Sequence, residues 1–399
     1  MSPRVDAGRR SGLIPGGGPA RQLLFADLHN HSLHSDGRGD PEQAFRQLRE
    51  AGLDVAALTD HASIPRHQLH TLGLHQYPDA PALAAGRLAP HSIDGSTWKR
   101  TAEIADEHDA PGEFTALRGF EWTEPWLGHV NVWFSDTYLP VTTPGSLSGL
   151  LEFLAVDEPG ALFGYNHPGR EPGRLAGFER TRERPELAAR MVALEAFNRT
   201  LDFLFEGYLR GDRSPIADCL DAGWQPALIG SSDEHGRSYG LEGKGRAGLW
   251  APSHSREGVR AALLARRCYA TREVGLRLDA TLNGVPMGSS ATGPAGSGSG
   301  SLAGRAELLV DTAGSKYHGH PVELQLITGG ASAEDAGVRV LHLAPARIGE
   351  LARVEVQVPD DVHWLVLRVA DPARPAGSPA PTGHPADCWA VAYASPWYS

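Results

Sequence analysis

The feature that most constrains this chain is positional: aspartate, glutamate and histidine recur at the ends of short apolar runs, one run after another, between residues 23 and 235. The run Leu23–His29 closes in Asp27-Leu28-His29-Asn30-His31, Val55–His61 closes in Asp60-His61, and Phe114–Thr123 carries Glu121 near its end. His129 opens the run His129–Phe134, His167 ends Ala161–His167, Glu195 and Asn198 end Met191–Asn198, and Asp233 and His235 follow Ala227–Ser232. Helical patterns lie between the runs. Pro41–Ala51 has proline in its first turn and Gly52 behind it, and Gly145–Leu154, Pro215–Ala222 and Arg256–Arg266 are similar. This alternation predicts β/α units around a parallel sheet or barrel, and such a barrel gathers its chemistry at the carboxyl ends of its strands.

In extended chain His29 and His31 project from one face, where two imidazoles can share a metal ion. An isolated His-x-His pair carries little weight, and any one of the polar residues could cap a helix or face solvent; Asp60 suits that role best. The repetition at strand after strand does not fit that bland account. The donors are imidazoles and carboxylates without a thiolate, a set suited to Zn, Mn or Fe(II). A carboxylate bridging two ions lets both polarise one water, and a bridging hydroxide is a nucleophile at neutral pH. Metal-assisted hydrolysis is therefore expected.

The pieces DLHNHSLHSDG, LTDH, GFEW, GHVNVWF, NHPGR and GSSDEHG resemble, in order, the ligand blocks of the PHP (polymerase and histidinol phosphatase) family. The GFEWT and GHVNVWF wording resembles its CehA/McbA-type metallohydrolase branch, and the likeness spans roughly residues 23–271. It implies a distorted (β/α)7 TIM-like barrel with a trinuclear metal centre at its mouth. Carried onto this chain, it implies His29, His31, Glu121 and Asp233 on one metal. Glu121 would bridge to a second metal held by His129 and His167, and Asp36, His61 and His235 would hold a third. Every ligand position is filled; Asp36 is a carboxylate where some relatives have histidine. Two to three divalent ions (Mn, Zn or Fe) are thus expected, with Glu121 and Asp233 as catalytic residues.

Composition bounds the rest. The chain has 399 residues, 41% hydrophobic and 21% charged, enough to bury a sizeable core. Its net charge of −11 argues against nucleic-acid binding by bulk electrostatics, beyond nucleotides or short oligonucleotides. No apolar run reaches membrane-spanning length. Residues 1–21 are Gly/Pro/Arg-rich and lack the apolar stretch of a signal peptide, so they are read as a disordered arm. Cys219, Cys268 and Cys388 are too scattered for a disulfide framework, and a cytoplasmic location is expected. The barrel is placed at residues 22–272. Within it, residues 62–111 (His-, Pro- and Ala-rich) are read as an insertion able to cover the mouth as a lid. Around the linker-like Thr292–Gly304, alternating runs from Leu276 onward predict a C-terminal antiparallel β-sandwich over residues 273–399.

Arg170, three residues past His167, offers a fixed charge and a bidentate fork for an anionic small-molecule substrate; His34 and Arg237 are further substrate-binding candidates. Glu195 and Asn198 are expected to line the cavity, Tyr239 its wall. The histidines of the sandwich (His318, His320, His342, His363, His384) and those of the insertion (His67, His70, His75, His91) are read as surface residues.

A phosphoesterase is favoured, because most of the wider family acts on phosphoesters. A carbamate, carboxylic ester or amide hydrolase is the alternative, and a second arginine converging on the metals would discriminate. Trp122, Trp126 and Trp133 would instead build an aryl wall, although Trp122 alternates with Glu121 and so faces outward. An amidohydrolase barrel of the carboxylated-lysine type is set aside, since none of Lys99, Lys244 and Lys316 ends a candidate strand. A non-catalytic metal-binding scaffold carrying a ligand-binding sandwich is the remaining class, and a homo-oligomer is possible on either reading.

Overall fold

The computed structural model describes residues 21–63, 92–124, 126–141, 146–171, 184–290, 301–314, 317–330, 332 and 334–399. Residues 1–20 of the N-terminal arm, most of the expected lid with four of its five histidines, and most of the linker therefore lie outside the described residues. The protein is a mixed α/β structure, with one large sheet that contains parallel pairs and a second, antiparallel sheet.

The first strands are β1 (Gln22–Asp27), β2 (Val55–Leu58), β3 (His61–Ala62), β4 (Thr115–Glu124) and β5 (Gly128–Trp133). They continue as β6 (Leu162–Tyr165), β7 (Met191–Asn198), β8 (Leu201–Asp202) and β9 (Ala227–Ser231). The pairs β1–β2, β2–β4, β6–β7 and β7–β9 are parallel. β5 departs from the all-parallel expectation and runs antiparallel to both β4 and β6. That reversal explains why His129 opens its run: the start of β5 lies at the same edge as the ends of its neighbours.

The sheet curls. Trp133 on β5 donates from its indole nitrogen to the Leu28 carbonyl at 3.0 Å, although β5 and β1 are not neighbours in the sheet. At the far side, Asp233 N donates to His29 O (2.9 Å) and His31 N to Glu234 O (3.0 Å), joining the segments that follow β9 and β1. The enclosed side is packed with Leu24, Leu28, Val55, Leu117, Trp133 and Ile229. Phe120 and Trp122, which flank Glu121 on β4, face a separate outer core.

Helices cover that exterior. Pro41–Glu50 starts on Asp40, whose side chain accepts from Glu42 N and Gln43 N, with Pro41 at the position whose missing N–H costs nothing. The described part of the expected lid includes the helix Gly95–His108, capped by Asp94. It packs on β4 and on the helix Pro41–Glu50, with Trp98 edge-on to Phe120.

β10 (Arg246–Ala251) and β11 (Cys268–Thr271) carry the large sheet onward from β1. Then follow β12 (Arg277–Leu282), β13 (Val285–Pro286), β14 (Gly304–Ala313), β15 (Pro321–Gly329), β16 (Val338–Arg347), β17 (Leu351–Val358), β18 (Trp364–Asp371), β19 (Trp389–Ala394) and β20 (Trp397–Tyr398). β13, β12, β14 and β17 form the second sheet, whereas β16, β15, β18 and β19 pair in that order and join β11 edge to edge. The two layers share a core that includes Leu278, Leu308, Val356, Leu324 and Leu367. His384 is buried here, contrary to the surface reading, with Nε2 against the Val338 carbonyl at 3.0 Å.

Candidate metal centre

The strand ends deliver their imidazoles and carboxylates to one place. His29 Nε2 lies 3.1 Å from His31 Nε2, 3.3 Å from Glu121 Oε1 and 3.5 Å from Asp233 Oδ1, and His31 Nε2 lies 3.2 Å from that same Asp233 oxygen. Ligands at about 2.1 Å around a four- or six-coordinate ion sit roughly 3.0–3.4 Å from one another, so these four side chains have the spacing of a coordination sphere. Glu121 reaches further: Oε1 is 3.1 Å from His129 Nδ1 and 3.4 Å from His167 Nε2, and Oε2 is 2.7 Å from His61 Nδ1. A third group closes as a triangle of His61 Nε2, Asp36 Oδ1 and His235 Nε2, with sides of 3.3–3.4 Å.

The electrostatics fit cations. His31 Nδ1, Asp36 Oδ1, His129 Nε2 and His167 Nδ1 are buried without a hydrogen-bond partner, a costly arrangement that ions would relieve. Burial opposes ionisation of Glu121, yet His129, His29 and His61 hold its carboxyl well below the usual range. Asp233 is likewise held low, against burial, by His29 and His31. His31 is pushed well below the usual imidazole value by burial and by His235 and His61, which leaves it neutral and able to coordinate.

A further layer of side chains aims these ligands. Glu195 Oε1 lies 2.8 Å from His29 Nδ1, and its Oε2 accepts from His167 N (2.7 Å) and Asn198 Nδ2 (2.8 Å). Asp60 accepts from Ser32 N, Ser32 Oγ and Ser35 Oγ at 2.7–2.8 Å and so fixes the loop behind His31. Asp27 accepts from His29 N (3.4 Å) and Ser232 N (3.1 Å). His167 (φ 27°) and Asp233 (φ 46°) hold left-handed backbone, which costs energy and is found where the side-chain direction matters.

Nine expected ligands thus converge, and the substrate-binding candidates divide. Arg170 Nη1 lies 3.6 Å from Asp233 Oδ2, the oxygen turned away from the imidazoles, and Nη2 donates to Asn198 Oδ1 at 3.3 Å. His34 is not brought in: its Nδ1 meets Thr101 Oγ1 of the flanking helix at 2.7 Å. Arg237 is exposed and donates to the Arg38 carbonyl. Tyr239 is buried and donates to the His31 carbonyl, supporting the site from behind.

Two residues at the site escaped the sequence reading. Arg199 lies with Nε 3.2 Å from Asp233 Oδ2 and Nη2 3.2 Å from His235 Nδ1. Its signal was faint, a lone arginine one residue past a strand that supplies no ligand. Glu171 is buried 3.7 Å from His167 Nδ1 and groups with His129 and His167 as potential ligands. It follows Arg170 in sequence, and a carboxylate next to NHPGR could have been weighed.

Among known proteins, a family described as "Protein of unknown function (DUF3604)" matches residues 56–143. No curated protein matches the chain. Solved structures similar to it include a two-domain protein from Bacteroides vulgatus containing a predicted PHP-like metal-dependent phosphoesterase. That likeness has 16% identity and a TM-score of 0.48, over 97% of this chain and 98% of the other. An amidohydrolase from Chromobacterium violaceum is similar at 16% identity and a TM-score of 0.31, over 62% of this chain and 97% of that one.

Proposed function

We propose that the protein is a divalent-metal-dependent hydrolase of phosphoesters, built on a distorted (β/α)7 barrel of β1, β2, β4, β5, β6, β7 and β9. The observation that carries the phosphoester reading is the convergence of Arg170 and Arg199 on the outer oxygen of Asp233, beside the nine-residue cluster. Two guanidinium groups at the rim of a metal site match a phosphoryl group in charge and shape. Of the tryptophans that would have built an aryl wall, Trp122 and Trp133 are buried in the cores and only Trp126 is exposed.

In this reading His29, His31 and Asp233 would hold a first ion, and His129 and His167 a second with Glu121 between them. Asp36, His61 and His235 would hold a third. When bound, the ions supply Lewis-acid activation of water and of the ester oxygen. The chain supplies the rest. Arg170 and Arg199 orient the anion and neutralise charge developing on its oxygens. Asp233 keeps Oδ1 toward the imidazoles, while Oδ2 faces the substrate side, where it can take a proton from the attacking water or return one to the leaving oxygen. Glu195 keeps His29 pointed inward throughout.

The test is turnover by Mn-loaded protein of an aryl phosphate monoester, an aryl phosphodiester and an aryl carbamate, with Asp233→Asn as the blank. Phosphoester turnover should fall at least a hundredfold in the blank, the scale expected for a lost acid–base group. Carbamate turnover alone would overturn the phosphoester reading and keep the hydrolase.

A further inference from the structure

Arg199 occupies an awkward place. Asn198 pairs with Leu201 and Phe197 with Asp202, so Arg199 and Thr200 are the two central residues of a tight hairpin between β7 and β8. Arg199 has φ 54° at the first of these positions, a conformation that favours glycine. Its backbone is held from the large sheet by Arg199 N to Ser231 O (3.0 Å) and Gly245 N to Arg199 O (2.7 Å). The other half of the hairpin is held by residues that come later in the chain.

Arg272, which follows β11, donates to Thr200 O at 2.8 Å and to Ala390 O of β19 at 2.7 Å. Its guanidinium lies 4.5 Å from the Phe197 ring and 3.7 Å from the Trp389 ring, and Arg374 lies 4.0 Å from the same tryptophan. Asp202 accepts from the Tyr393 hydroxyl at 2.9–3.0 Å, and its N–H donates to Ser378 Oγ at 3.1 Å. Arg368 donates to the Tyr393 oxygen at 2.9 Å and is itself buried. Stacked and hydrogen-bonded on both sides, the hairpin has little freedom to relax its left-handed residue.

We propose that the C-terminal strands act as a positioning element for anion recognition: Arg272 and the Asp202–Tyr393 pair clamp the β7–β8 hairpin so that Arg199 stays at the metal-site rim. This rests on the reading of Arg199 as a phosphoryl ligand. Arg272, Asp202 and Tyr393 are positioning residues; none of them approaches the metal ligands.

The experiment measures inorganic phosphate binding to Mn-loaded full-length protein by calorimetry, with Mn stoichiometry determined alongside. Arg199→Ala should weaken phosphate on the order of tenfold or more, the value of a charge-assisted hydrogen bond. Arg272→Met and Tyr393→Phe should weaken it several-fold without loss of Mn, and Arg272→Met added to Arg199→Ala should cost nothing further. Tyr393→Phe removes one oxygen and keeps the ring on Phe197, so it answers the question even if Arg272→Met does not fold. Full phosphate affinity in Tyr393→Phe, or additive losses in the double variant, would overturn the clamp. If wild-type protein ignores phosphate, or Arg199→Ala binds it undiminished, the phosphoester reading itself fails.

Discussion

Glu195 stands behind the first candidate metal group, and His29 is oriented by it. With Nδ1 engaged by this carboxylate at 2.8 Å, the imidazole turns Nε2 toward His31, Glu121 and Asp233. Carboxylates behind metal-binding histidines fix the tautomer and raise basicity, and losing one lowers metal affinity about 10–100-fold. Glu195→Gln should therefore bind its tightest Mn ion correspondingly more weakly in calorimetry of metal-free protein; unchanged affinity would mean that packing alone aims His29. The His167–Glu171 pair sets a pH dependence. Burial and Arg170 oppose the imidazolium, but Glu171 and Glu121 hold His167 up, to about 9. Burial also opposes the carboxylate, but His167 and His129 hold Glu171 down, to about 2. A raised histidine stabilises fully below its ordinary value of 6.5, and the contribution is lost as pH rises through about 9. A depressed glutamate stabilises above its ordinary value of 4.5, and that contribution is lost as pH falls towards about 2. The metal-free protein should thus lose thermal midpoint between about pH 6.5 and 9. Mn should relieve most of that loss, because the ion replaces the proton. A metal-free midpoint that stays flat over this range would contradict the pairing.

At the scale of elements, the loop after β1 decides whether the third group closes. A Cβ on Gly37 would lie 2.6 Å from His31 C and Ser32 N, both backbone atoms that cannot swing away. Gly37→Ala must push this loop outward and carry Asp36 with it. The expected result is a stability loss of about 1–3 kcal/mol, typical of overpacking, and one metal equivalent fewer than wild type. Metal analysis and a thermal melt check both; an unchanged metal count would detach Asp36 from the third site. This loop also marks the limit of what was legible. His29, His31, His61, Glu121 and Asp233 could be found because strand ends are set by apolar runs, and chemistry at a strand end shows as polarity where burial is expected. His129 was found at the start of its run, although the antiparallel course of β5 was not. Arg199 and Glu171 were not found, because their placement depends on a left-handed turn and on tertiary packing, neither of which has a periodic signature. The helix Gly95–His108 was hidden in a His- and Pro-rich stretch, and its apolar face is narrow, with Trp98, Ile104 and Ala105 buried.

Across the whole molecule, the sheet is continuous where the sequence changes texture. β10, β11 and β19 were not foreseen: Arg246–Ala251 and Cys268–Thr271 are buried along their whole length, so they show no in–out alternation. Through them the strands that carry the candidate metal ligands are hydrogen-bonded to β18, β15 and β16. The junction carries a buried polar network centred on Arg368. Arg368 donates to Gln325 Oε1 at 2.6 Å, to the Cys388 carbonyl at 2.5 Å and to the Tyr393 oxygen at 2.9 Å, while Tyr393 reaches Asp202. A buried charge network of this kind opposes independent opening of either side, because separation would strand each group without its partner. The metal-free protein should therefore unfold in one calorimetric transition. Arg368→Met should lower that whole transition by about 3–5 kcal/mol, since it leaves Gln325 and the Tyr393–Asp202 pair short of a donor in a dry interior. Two resolved transitions in the wild type would show that β11 and β19 are merely adjacent. A shift confined to one half of a split transition in Arg368→Met would show that the network belongs to that half alone.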